Sequence, residues 1–259
     1  HKILVIALFA ILVTTGCAST QSTVEPEEQE ISDQRDPLEP INRKIWTFNW
    51  DYLDHYLLKP ASEIYVDYTP ILVRNGLYNA ALNLNEPSTI INNVLQLKFI
   101  DASKSAGRFL LNSTFGLFGI FDLASEVGLK RQQEEFGEVL GHYNVGNGPY
   151  LMVPGLGPSA IREEFGDYVD RYYWPLAIID FWPNVARSLV IGLESRAALA
   201  QQEQLIEDSF DSYEFIKNAY FQNIEFRVYD GNPPIEEEPE EMDDFLDELD
   251  DLDEMEDIE

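Results

Sequence analysis

Cys17 is the residue whose type and surroundings most directly specify a chemistry. It is the only cysteine in the 259-residue sequence, and it stands in Thr15-Gly16-Cys17-Ala18, behind a leader that is almost wholly apolar over residues 3–13 and preceded by Lys2. Eleven apolar residues are too few to span a bilayer, so the leader reads as a signal peptide. A cysteine placed directly after small residues is the target of lipoprotein processing: the chain is cut before it, the thiol takes a diacylglycerol, and the new amino terminus takes a further acyl chain. At about 0.8 kcal/mol per buried methylene, two or three chains hold the protein to a membrane effectively permanently. Thr14 departs from the leucine-like residue usual at that place, and an ordinary cleaved secretory signal is the alternative. Ala18, in place of an aspartate, favours export to the outer membrane. With no second cysteine there is no intrachain disulfide, and stability has to come from packing.

The remaining chemical signals are weak. Gly155-Leu156-Gly157-Pro158-Ser159-Ala160 matches the glycine spacing of a dinucleotide-binding turn. No βαβ alternation surrounds it, and Pro158 removes an amide where a pyrophosphate needs donors. Beyond the leader the histidines are His55 and His142, and no Gly-x-Ser-x-Gly elbow exists for a serine lipase. His142 has no nucleophile among its neighbours and reads as a hydrogen-bonding residue of its loop. His and Cys spacings for metals are absent, and the carboxylates lack a calcium-loop pattern. The expectation is a protein that is not an enzyme, with no metal and no cofactor.

Charge narrows the partners. With 47 Asp and Glu against 17 Lys and Arg, the formal net charge is -30, which excludes nucleic acid and disfavours anionic headgroups. Any membrane contact then relies on acyl chains and apolar side chains, and the 13 Tyr and 4 Trp suit a water–lipid interface.

Four segments follow from composition: a signal peptide over 1–16, the lipidated Cys17 and a polar tether over 17–35, one helical domain over 36–229, and an acidic tail over 230–259. Pro37 and Pro40 make a turn ahead of a helix start near Ile41. In that helix Ile41, Ile45, Phe48, Tyr52 and Tyr56 form one apolar stripe and Trp46, Trp50, Leu53 and Leu57 an adjacent one, with Pro60 as the stop. Pro70 opens a second helix carrying Val73, Leu77, Ala80 and Leu84, closed at Asn85-Glu86-Pro87; a third carries Ile91, Val94 and Leu95. Residues 108–123 are apolar on nearly every side and broken by Gly116 and Gly119. They are either a kinked core helix or an element dipping into a bilayer leaflet. Residues 141–158, with five glycines and three prolines, read as one long loop. Helical spacing resumes after Pro183 with Ala186, Val190, Leu193, Ala197 and Ala200, and Asp211-Ser212-Tyr213-Glu214 caps a last helix expected to bury Phe215, Ile216, Ala219 and Tyr220. No period-two strand appears, so the fold class is all-α. In the tail Met242, Phe245, Leu246, Leu249, Leu252, Met255 and Ile258 recur at helical spacing; a solvated disordered tail and docking onto a basic partner both fit.

Several blocks, in order, resemble the MlaA family of outer-membrane lipoproteins, also called VacJ. They are Asp36-Pro37-Leu38-Glu39 with Asn42-Arg43 and Phe48-Asn49; Val73-Arg74-Asn75-Gly76-Leu77; Arg108-Phe109-Leu110-Leu111-Asn112 with Gly116, Gly119 and Asp122; Phe136-Gly137 with Leu140-Gly141-His142-Tyr143; Val145-Gly146, Gly148-Pro149-Tyr150 and Arg162; and Ala219-Tyr220-Phe221-Gln222.

The resemblance implies a single ring of helices lying in the periplasmic-facing leaflet of the outer membrane, anchored through Cys17 and enclosing an amphipathic channel. Phospholipids misplaced in the outer leaflet would pass through it to a periplasmic lipid carrier of the Mla pathway, beside a trimeric porin, with no chemistry on the lipid. By position, the turn over residues 141–148 matches the family's flexible element at the channel mouth. Gly141, Asn144, Gly146 and Gly148 are its candidate gate residues, with Gly146 as hinge, against a static turn. Phe48, Asn49 and Trp50 are candidates for stabilising the closed state, against plain core packing. Phe109, Leu110, Phe115, Leu117, Phe118, Ile120 and Phe121 are the candidate membrane contacts. The alternative function is an adaptor lipoprotein that binds porins without conducting lipid; an outer-leaflet phospholipase comes third.

Overall fold

A computed structural model describes residues 33–234; Cys17, the leader, most of the tether and nearly all of the acidic tail lie outside the described residues. The first helix starts at Glu39, two residues before the expected Ile41. Pro40 sits in the first turn of α1 (Glu39–Thr47), where its missing N–H costs nothing, and the Leu38 carbonyl accepts from the Ile41 and Asn42 amides at 2.9 Å each. Past α1 the winding widens into a π-type segment, Phe48–Leu58, closed by the Lys59 amide donating to Asp54 O, and then tightens into α2 (Lys59–Tyr68). Pro60 therefore does not stop the helix. It stands in the first turn of a renewed α-winding, the one helical place where a proline is tolerated. Pro70 precedes α3 (Ile71–Asn83), and α4 (Glu86–Leu95) and α5 (Phe99–Thr114) follow as an adjacent packed pair.

The faces these helices turn inward are polar. Among the described residues, Asn42, Asp54, Asn83, Glu86, Ser88, Thr89, Asn92, Asn93, Arg108 and Asn112 are buried, while Ile41, Phe48, Tyr52, Tyr56, Leu77, Val94 and Leu95 are exposed. Of the apolar stripe expected on the first helix, Ile41, Phe48, Tyr52 and Tyr56 are exposed, and Ile45 alone packs inward, against the aromatic cluster. The inner row of that helix is Asn42, Asn49 and Asp54, reached because the π-winding adds almost a residue per turn.

Arg108, fully buried on α5, organises an ionic cluster. Its Nε donates to Glu86 Oε1 (2.9 Å), Nη2 to both Asp122 oxygens (3.0 Å each), and Nη1 to Ser125 Oγ (3.1 Å) and the Leu129 carbonyl. Asn112 donates to Asp122 Oδ1 (2.9 Å) and accepts the Ala124 amide (2.9 Å), which fixes the short helix α6 (Leu123–Glu126). Burial opposes ionisation of Asp122, but hydrogen bonds from Ser125, Asn112 and Arg108 outweigh it and hold its carboxyl at about 2. Between α5 and α6 the chain makes a tight turn, with Leu117 (φ 51°) and Phe118 (φ 59°) both left-handed. Each costs roughly 1–2 kcal/mol, and the turn presents Phe115, Leu117, Phe118, Ile120 and Phe121 to the outside. The core-helix alternative for residues 108–123 is thus corrected: α5 supplies a buried arginine and asparagine, and the apolar side chains beyond it are left exposed.

Residues 141–158 are not one loop. They hold the end of α7 (Phe136–His142), a turn, and β1 (Tyr150–Val153), which pairs antiparallel with β2 (Gly157–Ala160) in the register Tyr150 to Ala160 and Val153 to Gly157. Four-residue strands that include Gly157 and Pro158 carry no legible period. After β2 come α8 (Ile161–Asp170), a 3₁₀ turn (Leu176–Ile178), α9 (Phe181–Leu199) against α2 and α3, α10 (Glu203–Glu207) and α11 (Ser212–Val228). Asp211 caps α11 by accepting the Tyr213 and Glu214 amides at 3.0 and 3.2 Å. The face α11 buries differs from the expected one: Tyr213, Lys217, Phe221 and Ile224 are buried, Phe215 and Ala219 exposed. Tyr213 and Phe221 pack with Tyr150 and Met152 in an aromatic cluster, and buried Lys217 pairs with Asp36 (3.6 Å) and Glu214 (2.8 Å). The fold is mostly helical, with one small hairpin.

Candidate functional site

The expected gate turn grows out of α7. This helix is held at both ends. The Phe136 amide at its start donates to Asp170 Oδ2 (2.9 Å), whose other oxygen accepts from Ser88 Oγ and Asn92 Nδ2 at 2.8 Å each. Mid-helix, Glu138 pairs with Arg227 of α11. Burial pushes the Glu138 carboxyl up, with Arg227 opposing and Glu134 and Glu135 adding to the rise. At the end, the Val145 amide reaches Leu140 O (2.9 Å) and the Asn144 amide reaches Gly141 O (2.8 Å), with Asn144 left-handed at φ 61°. That is a Schellman closure, built on asparagine in place of the usual glycine.

The four turn residues differ from one another. Gly141 is packed: a Cβ there would lie 2.6 Å from Val228 Cγ2 and 3.0 Å from Arg162 Nη1. Gly148 takes φ 69° against Ile161. Gly146 needs no left-handed backbone, and a Cβ added there would meet open space. Of the expected set, Asn144 and Gly148 carry the positive φ, and Gly146 is the position with open space for a side chain. The adjoining Tyr143 is tied through its hydroxyl to Leu95 O (2.7 Å), and His142 is exposed with its ring edge-on to Tyr143.

Asn49, from the second group of candidates, reaches the tip of the hairpin, the end away from the turn over residues 141–148. Its Nδ2 donates to Val153 O (2.9 Å) and its Oδ1 accepts the Gly155 amide (2.8 Å), so both ends of the side chain hold the hairpin tip. Seven residues earlier, two turns back along the helix, buried Asn42 repeats the arrangement on β1, donating to Tyr150 O (3.1 Å) and accepting the Met152 amide (3.0 Å). Trp50 stacks on Trp46 with ring centroids 5.2 Å apart, and Phe48 faces outward. The three therefore split: Asn49 is the structural link, Trp50 packs within its own helix, and Phe48 is exposed. Sequence reasoning quoted Asn42 and Arg162 without giving either a role; an amide two helical turns before Asn49 was the available signal.

Of the expected membrane contacts, Leu110, Phe115, Leu117, Phe118, Ile120 and Phe121 are exposed, Phe118 to 83%. Phe109 is half-buried, edge-on to Trp174. Not one of these residues is charged, in a chain that is a quarter charged. Among the described residues no helix is long and apolar enough to cross a membrane, and no group of His, Cys, Asp and Glu could hold a metal ion. The glycine pattern over residues 155–160 lies in an antiparallel hairpin, which offers no phosphate cradle.

Comparison with known proteins converges on one family. The family model described as MlaA lipoprotein matches residues 34–227. The intermembrane phospholipid transport system lipoprotein MlaA of Escherichia coli (strain K12) is 36% identical over 227 residues, covering 86% of this chain and 88% of that protein. Its namesake in Haemophilus influenzae is 32% identical over 238 residues, covering 89% and 92%. A solved structure from work on the structural basis for maintenance of bacterial outer membrane lipid asymmetry matches with a TM-score of 0.72 at 38% identity, covering 74% of this chain and 98% of that one. With a match over residues 34–227 and relatives above 30% identity along most of its length, this chain belongs to the MlaA lipoprotein family.

Proposed function

We propose that this protein withdraws phospholipids misplaced in the outer leaflet of the outer membrane and passes them to a periplasmic carrier, maintaining lipid asymmetry. In this reading the helical body lies in the periplasmic-facing leaflet, held by acyl chains on Cys17, and encloses an amphipathic channel beside a trimeric porin. It changes no bond in the lipid and uses no cofactor. The observation that carries the reading is the inverted distribution of side chains: amides and ion pairs inside, aromatic and aliphatic groups outside. A headgroup route needs polar lining, and a wall among acyl chains needs an apolar exterior. Relatives named for intermembrane phospholipid transport support it.

The turn over residues 141–148 serves as the gate, with Gly146 as the point of bending and Asn49 steadying the hairpin behind it. The exposed turn after α5 sits among acyl chains. Reconstituting the acylated full chain with its porin in vesicles and following labelled phospholipid to the carrier tests the function. Transfer is the expected result; porin binding without transfer would mark an adaptor, and release of free fatty acid a phospholipase. Within the same assay, Gly146→Pro should slow transfer several-fold while leaving the melting temperature within a few degrees, because the site has room for a side chain but loses its backbone freedom. Unchanged transfer in that variant removes the hinge.

A further inference from the structure

Arg162 is buried in the first turn of α8, two residues past the end of β2. Three of its groups face the turn that follows α7. Its backbone N–H donates to Asn147 O (3.1 Å), its Nη1 donates to Val145 O (3.0 Å), and its guanidinium lies against Gly141, where a Cβ would come within 3.1 Å of Cζ. Nε is held by Glu163 Oε1 (2.9 Å), which fixes the plane of the fork. The other hydrogen bonds of Asn144 and Val145 are local, back to Gly141 and Leu140, and the turn's further tie to the body is made before them, by the Tyr143 hydroxyl on Leu95 O. Gly146 has open space around it.

We infer that Arg162 is the latch of the Gly141-to-Gly148 turn: its side chain holds the turn in its resting position, and its release frees the turn to move. The inference rests on the gate reading above for its consequence in transport, but the latch itself is a mechanical claim about this turn. A charge-assisted bond from a buried guanidinium to a loop carbonyl is among the stronger single contacts a protein makes. Two groups in the strap remain unspent. Arg162 Nη2 and Asn147 Oδ1 are both buried without a hydrogen-bond partner. Unsatisfied buried groups disfavour the arrangement that leaves them so, which works against the latch rather than with it. Arg162 is a positioning residue here: it acts on lipid only through the turn it holds.

The test measures hydrogen–deuterium exchange of the acylated full chain in phosphatidylethanolamine–phosphatidylglycerol vesicles, alongside transfer of labelled phosphatidylethanolamine to the carrier. Arg162→Met should speed exchange over residues 143–148 about tenfold, with the cores of α7 and α8 unchanged. Arg162→Lys, which restores one charged donor, should recover part of the protection. Gly141→Ala displaces the guanidinium without removing it and should loosen the same residues; it carries the test alone if Arg162→Met does not fold. Unchanged exchange over 143–148, or acceleration spread evenly through α7 and α8, overturns the latch. The two readings separate cleanly. A loosened turn with faster transfer supports both; a loosened turn with unchanged or slower transfer removes the gate and leaves the latch standing.

Discussion

Two buried clusters hold this molecule together, and they are made of opposite materials. Tyr150, Met152, Tyr213 and Phe221 form one from aromatic surface, joining the hairpin to α11 with Ile45 and Trp46 of the first helix packed alongside. Arg108, Glu86, Asp122, Asn112 and Ser125 form the other from charges and amides, joining α4, α5 and α6. In the first, water exclusion does the holding and polar groups are tolerated at the edge, as where the Tyr213 hydroxyl meets Asp36. In the second, hydrogen bonding does it, and the apolar side chains of the same segments face away from the body. Under the proposed function the outward faces meet acyl chains, and there hydrophobic association between the elements gains little, so polar contacts from within take a larger share of the joining. Apolar faces turned outward and an ionic interior are two sides of one solution.

The contrast makes predictions of decreasing size. Arg108→Met leaves Glu86 and Asp122 buried without their counter-charge and should destabilise the fold by about 3–5 kcal/mol, read as a lost or steeply lowered thermal transition; a loss under about 1 kcal/mol would show that the ionic cluster is incidental. Phe221→Ala removes a ring from the aromatic cluster and should cost about 3 kcal/mol, with the same cost in low and high salt; strong salt dependence would blur the distinction between the clusters. Acid acts on the ionic cluster through Asp122. Asp122 is held at about 2 in the fold, below its ordinary value of about 4. Its contribution is complete above that ordinary value and disappears as pH falls through the folded one. After discounting for partial exposure it is on the order of 1 kcal/mol, so Asp122→Asn should flatten the stability profile between about pH 4 and 2, and an unchanged profile would contradict the assignment. Smallest in stability is Phe118→Glu, expected to shift folding by about 0.5 kcal/mol or less yet to weaken binding of unacylated protein to vesicles. Undiminished binding would take the exposed turn out of the membrane contact.

The helices were legible because their ends carry local chemistry: Pro40 and Pro70 at starts, and Asp211 accepting two amides at a cap. Their facing was not. A period shows that Ile41, Phe48, Tyr52 and Tyr56 share a side, but the inference that an apolar side faces inward assumes water outside. For the first helix that assumption gives the wrong face, and the amides of Asn42 and Asn49 are the ones that reach the hairpin. The π-winding was invisible for a related reason: it depends on where Asp54 must sit to meet Arg196, at 2.5 and 2.8 Å, a partner 142 residues away. In the candidate site, the left-handed tolerance of Asn144 was readable from residue type and matches φ 61°. Arg162 was not, because an arginine beside Glu163 and Glu164 looks like an exposed helical pair until the fold places a carbonyl in front of it.

The indoles of Trp46 and Trp50, parallel to within 13°, flank Asn49 on the helix that carries the hairpin. Chromophores that close couple their electronic transitions, and the sign and size of that coupling depend on the local pitch of the backbone. The protein thus contains its own optical gauge: near-ultraviolet circular dichroism follows the first helix beneath the hairpin without any label, during lipid passage as well as at rest.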